Sequence, residues 1–292
     1  MRLEYALLAG VLYGMFYALA AVGLNLVFGV LRVVNLAHGD WIVLGSFLAW
    51  ELYSTFHLNV LFSAVVALPL GMAAGFILYW VLAPRLGRSE DPEMTSFVLF
   101  FGISQIIEAL ATFGFGNNQR SLLPNALVAA PLRLGGQVYP GVLVASAVAS
   151  VPLLLALYLY LYRSHAGAAT RAVMANPAEA AAVGINVRKI SALTFGIGTA
   201  AAVAAGAFSI FVEGGTSPSQ GVALTTVAFA VIVIGSLGNV AGTVLGGLVY
   251  GIADQMTATF ASSWANLVPY LILILVMLAR PSGLLGRATR DA

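Results

Sequence analysis

Apolar runs long enough to cross a lipid bilayer follow one another along most of the chain, separated by short polar breaks. The first runs from Tyr5 to Phe28 and gives way to LRVVNLAHGDW, where Arg32, Asn35, His38 and Asp40 interrupt it. Hydrophobicity resumes from about His38 to Phe56, from Asn59 to Ala83 and, beyond the polar link PRLGRSEDPE, from Met94 to Phe113. Later runs cover Gly141 to Tyr162, Ile190 to Val212 and Asn266 to Leu278. Lipid tails offer backbone amides no partner, so a spanning segment must be a helix or part of a closed barrel. Continuous apolar runs of ~20 residues have helix length and lack the ~10-residue alternation of barrel strands. Each run therefore predicts a membrane helix.

Two stretches need a different reading. The apolar region from Val222 to Thr257 is too long for one crossing, for which ~20 residues suffice, and it is broken by GSLGN. Gly235, Gly238 and Asn239 are poor helix formers, so two shorter helices meeting there, a broken hairpin over 222–257, are expected. Between Gly114 and Pro140, Leu132, Leu134, Val138 and Tyr139 flank a Gly135-Gly136 pair, which predicts a small hairpin in an ordered external loop, 114–140. The chain thus reads as one all-α polytopic membrane domain, 1–292, with about eight to nine transmembrane helices. The N-terminal run is longer than a signal-peptide core and carries Glu4 in its head region, so it is expected to remain as the first span.

Composition agrees with this and narrows the chemistry. Of the 292 residues, 61% are hydrophobic and only 8% charged, against about a quarter charged in soluble domains. A net charge of +2, scattered over span ends, gives no basic stripe, so nucleic acid is not an expected partner. There is no cysteine, which removes disulfides, thiolate chemistry and Cys-based metal sites together. Lys189 is the only lysine and follows Arg188, so the GxxxxGK[ST] phosphate loop cannot occur and any ATP must be hydrolysed elsewhere. His38, His57 and His165 form no HExxH motif, and no GxSxG elbow exists. Neither an enzyme nor a metal site is expected. Glu108 and Asp254 are the acids nearest to being intramembrane, and both fall toward helix ends where an interfacial carboxylate is the plainer reading.

The longest polar interruption, 163–189, reads RSHAGAATRAVMANPAEAAAVGINVRK. Inside it a short helix has both ends written out: Asn176 as N-cap, Pro177 in the first position and Gly184 as a left-handed stop. Such a helix of about two turns is marginal alone, since ~12–15 residues are usually needed, and it requires a partner. Its alanines would let a groove close over it, with Glu179, Arg171, Arg188 and Lys189 as rim charges. A surface loop that merely links two spans is the competing reading. The positions AHGD suit a helix break, where Asn35, His38 and Asp40 offer polar groups to freed amides and carbonyls; capping and gate-lining both remain open.

The run RAVMANPAEAAAVGINVRKI resembles the cytoplasmic coupling loop of the branched-chain amino-acid and ribose-type ABC permeases, with Arg171, Ala172, Asn176, Pro177, Ala181, Gly184, Ile185 and Asn186 on the pattern R-A-x-x-x-N-P-x-x-A-x-x-x-G-I-N. GLNLVFGVLRVVNLAHGDWIVLGSFLA resembles the GLxLxxGVxRVxNxAHG(E/D)xxxLG run of the LivH-type permeases, and VIVIGSLGNVAGTVLGGLVYGI extends the likeness. The resemblance implies a bacterial inner-membrane permease subunit that imports branched-chain or other hydrophobic amino acids. Its implied partners are a second homologous permease, two cytoplasmic ATPases holding ATP and Mg, a periplasmic binding protein and membrane lipid; the chain itself carries no cofactor. Related permeases take urea, short amides or small aromatic acids, and an ion-coupled secondary carrier or channel is the rival from another class. The ATPase-coupling residues implied are Arg171, Asn176, Pro177, Glu179, Ala180, Ala181, Gly184, Ile185 and Asn186. The path or gate residues are Asn25, Asn35, His38, Asp40, Ser236 and Asn239.

With the coupling loop inside, Arg32, Arg85, Arg88, Arg163, Arg171, Arg188, Lys189, Arg280, Arg287 and Arg290 face the cytoplasm, provided the 222–257 hairpin enters and returns. Only Arg2, Arg120 and Arg133 of the thirteen basic residues are then external. The N-terminus is expected outside and the C-terminus inside. An overlay of VNLAHG on GNVAGT, Asn35 on Asn239, suggests an internal repeat with one break in each half.

Overall fold

Long apolar runs without a breaker become the long helices: α1 (Arg2–Leu31), α3 (Val60–Leu86), α4 (Pro92–Phe115), α5 (Gly141–Arg163) and α8 (Val187–Val212), with α2 (His38–Phe56) between the first two. Two short helices, α6 (His165–Ala175) and α7 (Pro177–Ala182), form the 163–189 loop. The chain ends in α9 (Gly221–Gly235), α10 (Val240–Phe260) and α11 (Val268–Ala279). The computed structural model describes residues 2–86, 89–128, 130–134, 136–264 and 267–286. Arg88, Gly135, Asn266, Arg287 and Arg290, on which parts of the expected link, hairpin, last span and tail rest, lie outside the described residues. Among those described, six helical stretches are long and apolar enough to cross a membrane: α1, Val60–Leu82 of α3, Met94–Phe115 of α4, α5, α8 and Pro218–Gly235. The protein is an all-α, multi-pass membrane protein.

The expected hairpin exists as β1 (Leu132–Leu134) and β2 (Gln137–Tyr139), antiparallel with Leu132 opposite Tyr139. Tyr139 stacks on Tyr5 with ring centroids 5.1 Å apart, which fixes the hairpin at the N-terminal end of α1. At the other end of α1, Arg32 donates to the carbonyl of Met174 in α6 at 3.1 Å. The molecule therefore has a hairpin end and an α7 end.

α1 and α8 form the buried centre, whereas α3, α4, α5 and α11 carry exposed apolar side chains such as Ile77, Leu110, Val148 and Leu275. Helices in lipid gain nothing from burying leucine against leucine, so close backbone approach through small residues holds them together. Gly10 and Gly14 of α1 meet Gly251 and Gly247 of α10, two GxxxG pairs crossing antiparallel. α8 receives α1 at Gly198 against Gly23 and α2 at Gly206 against Gly45. A side chain at any of these would overlap backbone atoms of the facing helix.

The chain breaks twice between long helices, and both breaks turn back into the bundle. After α1 the non-helical segment 32–37 returns along the helix, and His38 Nε2 hydrogen-bonds the Ala20 carbonyl at 2.8 Å. Ala20 lies about 16 Å back along the axis from Leu31 at ~1.5 Å per residue, a distance six non-helical residues can cover at up to ~3.3 Å each. Hence α2 begins deep in the bundle. After α8, residues 213–220 return from the opposite end: Thr216 and Arg120 exchange backbone bonds of 2.7 and 2.8 Å beside the hairpin end, and α9 begins at Gly221. The two starts meet, with Thr225 Oγ1 accepting from Gly39 N at 2.7 Å and donating to Leu36 O at 3.0 Å. From there α2 runs to the hairpin end and α9 to the α7 end. The non-helical segments 32–37 and 213–220 thus each turn back into the bundle and lead into a helix that starts there.

Candidate functional site

Two places carry the sequence-predicted residues: the α7 loop, and the interior where the breaks converge. At the first, Asn176 has an extended backbone, and its Oδ1 accepts from the amides of Ala178 and Glu179 at 3.0 and 3.3 Å. Its Nδ2 donates back to Glu179 Oε1 at 2.8 Å, so both residues are occupied in closing the N-terminus. At the far end Gly184 takes φ +86°. The amide of Gly184 reaches Ala181 O and that of Ile185 reaches Ala180 O, both at 3.0 Å. That is the Schellman pattern, which satisfies carbonyls a two-turn helix would otherwise leave bare. Asn186 then caps α8, accepting from Lys189 N at 3.0 Å.

α7 stands on one buried residue. Ala180 is 3% exposed and packs with Val30 of α1 and Val173 of α6, flanked by Ile185, Val187 and Ile190. Ala178, Glu179, Ala181, Ala182 and Val183 face outward, Val183 at 77% exposure. The expectation that Ala180 touches a partner is therefore corrected: it is the foot of the helix, and Val183, which the sequence reading passed over, lies on its free face. Arg171 is corrected as well. It sits in α6 with its guanidinium 5.0 Å from the Tyr162 ring centroid and its Nη1 buried, engaged with α5 instead of standing free at the rim of α7. α6 itself was not expected, although Ser164, whose Oγ accepts from Gly167 N at 2.9 Å, is a legible N-cap before a small-residue run.

In the interior, Asn25, Ser236 and Asn239 come together. Asn25 Nδ2 donates to Ser236 O and Asn239 O at 3.0 Å and to Thr243 Oγ1 at 2.6 Å, while its Oδ1 accepts from Gly238 N. One amide thus fixes the whole turn between α9 and α10 to α1. Asn239 caps α10 through Gly242 N at 3.1 Å. The segment after α11 closes beneath the turn, Leu284 and Leu285 donating to Ile234 O and Gly235 O at 2.9 and 3.1 Å. Asn35 and His38, each 1% exposed, serve the other break: Asn35 Oδ1 accepts from Ala37 N at 3.1 Å, and His38 holds Ala20. These four polar side chains are engaged with backbone, so the capping reading describes Asn25, Asn35, His38 and Asn239 better than an open gate does.

Asp40 differs. It is 2% exposed, lies in the first turn of α2 against Gly221 at the start of α9, and faces Ser104 of α4. Two helix N-termini favour a negative charge there, yet Asp40 Oδ2 and Ser104 Oγ have no hydrogen-bond partner. Unlike Asn25, Asn35, His38 and Asn239, Asp40 keeps a carboxylate oxygen without a close hydrogen-bond partner, with Ser104 as the hydroxyl that faces it. By contrast Asp254 accepts from Gln255 Nε2 at 3.1 Å, as an interfacial carboxylate should. Among the described residues no group of three or more His, Asp or Glu is placed to hold a metal ion.

Residues 6–277 match the family model of the branched-chain amino acid transport system permease component. The chain belongs to this family. It is a permease component and not an enzyme. Among similar proteins are the high-affinity branched-chain amino acid transport system permease protein BraD of Pseudomonas aeruginosa, 29% identical over 96% of this chain and 95% of the relative. LivH of Salmonella typhimurium is 30% identical over 95% of this chain and 94% of its own. A probable branched-chain amino acid transport permease protein LivH of Methanocaldococcus jannaschii is 27% identical over 94% and 90%. No solved structure matches the chain.

Proposed function

We propose that this permease is the transmembrane subunit of a bacterial ABC importer for branched-chain or other hydrophobic amino acids, lying in the inner membrane. The observation that carries the coupling mechanism is α7: a helix of two turns, capped at both ends, with its foot packed on α1 and α6 and its small-residue face exposed. A free helix this short would not persist, so the chain spends local structure on presenting that face. Its occupant is a cleft of a cytoplasmic ATPase, which binds ATP and Mg; this chain's sequence has no GxxxxGK[ST] phosphate loop.

The α7 end is then cytoplasmic, the hairpin end external, the N-terminus outside and the C-terminus inside. Nine membrane-embedded helices follow, α1 to α5 and α8 to α11, with α2 and α9 starting at mid-depth. A second permease completes the path and a periplasmic binding protein delivers solute at the hairpin end. Within this chain the solute passes where α2 and α9 begin, beside Asp40, and the turn at Ser236 to Asn239 closes the inner side. Because α1 holds the first break through Ala20 and the α9–α10 turn through Asn25, a push on α7 through Val30 reaches both by rigid-body movement.

The test is co-purification of the permease with its ATPases, followed by ATP hydrolysis in proteoliposomes with binding protein and leucine. Hydrolysis that rises with liganded binding protein and drives uptake supports the reading. Uptake that proceeds without ATPases, driven by an ion gradient, would replace it with a secondary carrier.

A further inference from the structure

At the α7 end a cavity of about 450 Å³ opens between the last turn of α1, α6 and the turn joining α9 to α10. Arg32 and Arg171 both line it, together with Tyr162, Ser236 and Asn239, and no carboxylate among the described residues does. The arginines are unequally satisfied. Arg32 Nη2 donates to Met174 O at 3.1 Å, whereas Arg171 stacks on Tyr162 and leaves Nη1 buried without a partner. A guanidinium cannot shed its charge by losing a proton, and the half-buried Arg171, with one N–H group buried and unpaired, gains from an acceptor placed beside it. Two arginines lining one cavity that no described carboxylate lines suit an anion with several acceptor oxygens.

The depth of the cavity points to the source. Tyr162 packs against Tyr158 with the rings tilted and 4.6 Å between centroids, and both residues are 45% exposed near the end of α5. Exposed tyrosines at the end of an apolar helix lie at the headgroup level of a bilayer, and Tyr162 forms one wall of the cavity. Basic pockets between membrane helices at that level take phosphate headgroups. We infer that this cavity is a binding site for the phosphate of an anionic phospholipid, held by Arg32 and Arg171 with the Ser236 hydroxyl and Asn239 amide beside it. Because α6 and the α9–α10 turn share the site, a bound lipid ties the α7 loop to that turn.

The full-length permease, delipidated in a maltoside detergent, is titrated with phosphatidylglycerol, phosphatidylcholine or millimolar inorganic phosphate while thermal unfolding is followed. Phosphatidylglycerol should raise the midpoint and be retained in native mass spectra, with phosphatidylcholine and inorganic phosphate doing much less. Arg171→Gln and Arg32→Gln should each weaken phosphatidylglycerol retention by roughly tenfold, the loss of one charge-assisted contact, and Arg171→Lys should recover part of it. If one Gln variant does not fold, the other carries the comparison. Equal effects of the two lipids, or full retention in a folded Gln variant, overturn the site. Protection by inorganic phosphate equal to that by phosphatidylglycerol overturns the lipid source, and displacement of the lipid by added ATPase assigns the cavity to an ATPase acid instead. None of these readouts measures transport, so the lipid-binding arms stand or fall apart from the importer reading, on which only the ATPase arm rests.

Discussion

Asn25 is a single side chain with four partners, three of them on the turn between α9 and α10 and the fourth Thr243 in α10. Replacing it with Leu removes all four bonds and strands buried backbone groups, so Asn25→Leu should lower stability by roughly 2–4 kcal/mol. Thermal unfolding of the purified permease measures this, and an unchanged midpoint would show that the turn holds itself. Asp40 is the opposite case, a buried carboxylate with an oxygen to spare. Asp40→Asn keeps the shape and deletes the charge, and is expected to leave the assembled complex intact while cutting leucine uptake in proteoliposomes several-fold. Normal uptake in that variant would make the carboxylate a cap for the two helix starts and move the path elsewhere. At this scale Asn35, His38, Asp40 and Asn239 were legible because polar residues stand out in apolar surroundings, while Asn25 and Ser236 came with the family resemblance. Which of them are saturated was not legible, since their partners lie far off in sequence, as Ser236 does for Asn25 and Ala20 does for His38.

The α7 helix was readable down to its caps because a cap is local: Asn176, Pro177 and Gly184 act on amides and carbonyls within a few residues. The broken hairpin was readable for the same reason, GSLGN being a helix stop wherever it stands. The returning segments 32–37 and 213–220 were not, because their course is set by Thr225, Ala20 and Arg120, contacts between distant parts of the chain. Local legibility also makes α7 the element best suited to substitution. Ala181 faces water in the permease alone, so Ala181→Arg should insert and fold normally but lose ATPase binding and uptake together. Gly184→Val puts a β-branched residue where φ is +86°, a strain of roughly 1 kcal/mol or more. It should reduce both activities in step rather than abolish them. Stoichiometric recovery of ATPases with the Ala181→Arg permease would show that the free face of α7 is not the docking surface.

Taken whole, the molecule has two unlike ends, and its contacts tie them together in a way that composition had only suggested. Arg32 reaches Met174, and Gly29 lies against Gly238, so the first break, the α7 loop and the α9–α10 turn share one end. Tyr5 on Tyr139 and Arg120 on Thr216 place the hairpin and the second break at the other. Positive charge is retained on the cytoplasmic side of short membrane loops, and among the described residues Arg163, Arg171, Arg188 and Lys189 lie on or beside the α7 loop while Arg2, Arg120 and Arg133 belong to the hairpin end. The α7 end is accordingly predicted to be cytoplasmic, and the α9–α10 hairpin to run from mid-depth to the cytoplasmic face before returning. Single cysteines test both statements in this cysteine-free chain. Asn118, Ala168 and Leu237 are exposed positions at the hairpin end, in α6 and in the α9–α10 turn respectively. An impermeant thiol reagent should label Asn118→Cys in intact cells, and Ala168→Cys and Leu237→Cys only after the membrane is opened. Labelling of Ala168→Cys from outside would invert the molecule and deprive α7 of any ATPase to bind. Labelling of Leu237→Cys from outside, with Ala168→Cys still shielded, would leave the orientation intact but open a route from the external face to the inner turn, so that the closure assigned to Ser236 to Asn239 would have to lie deeper than the turn itself.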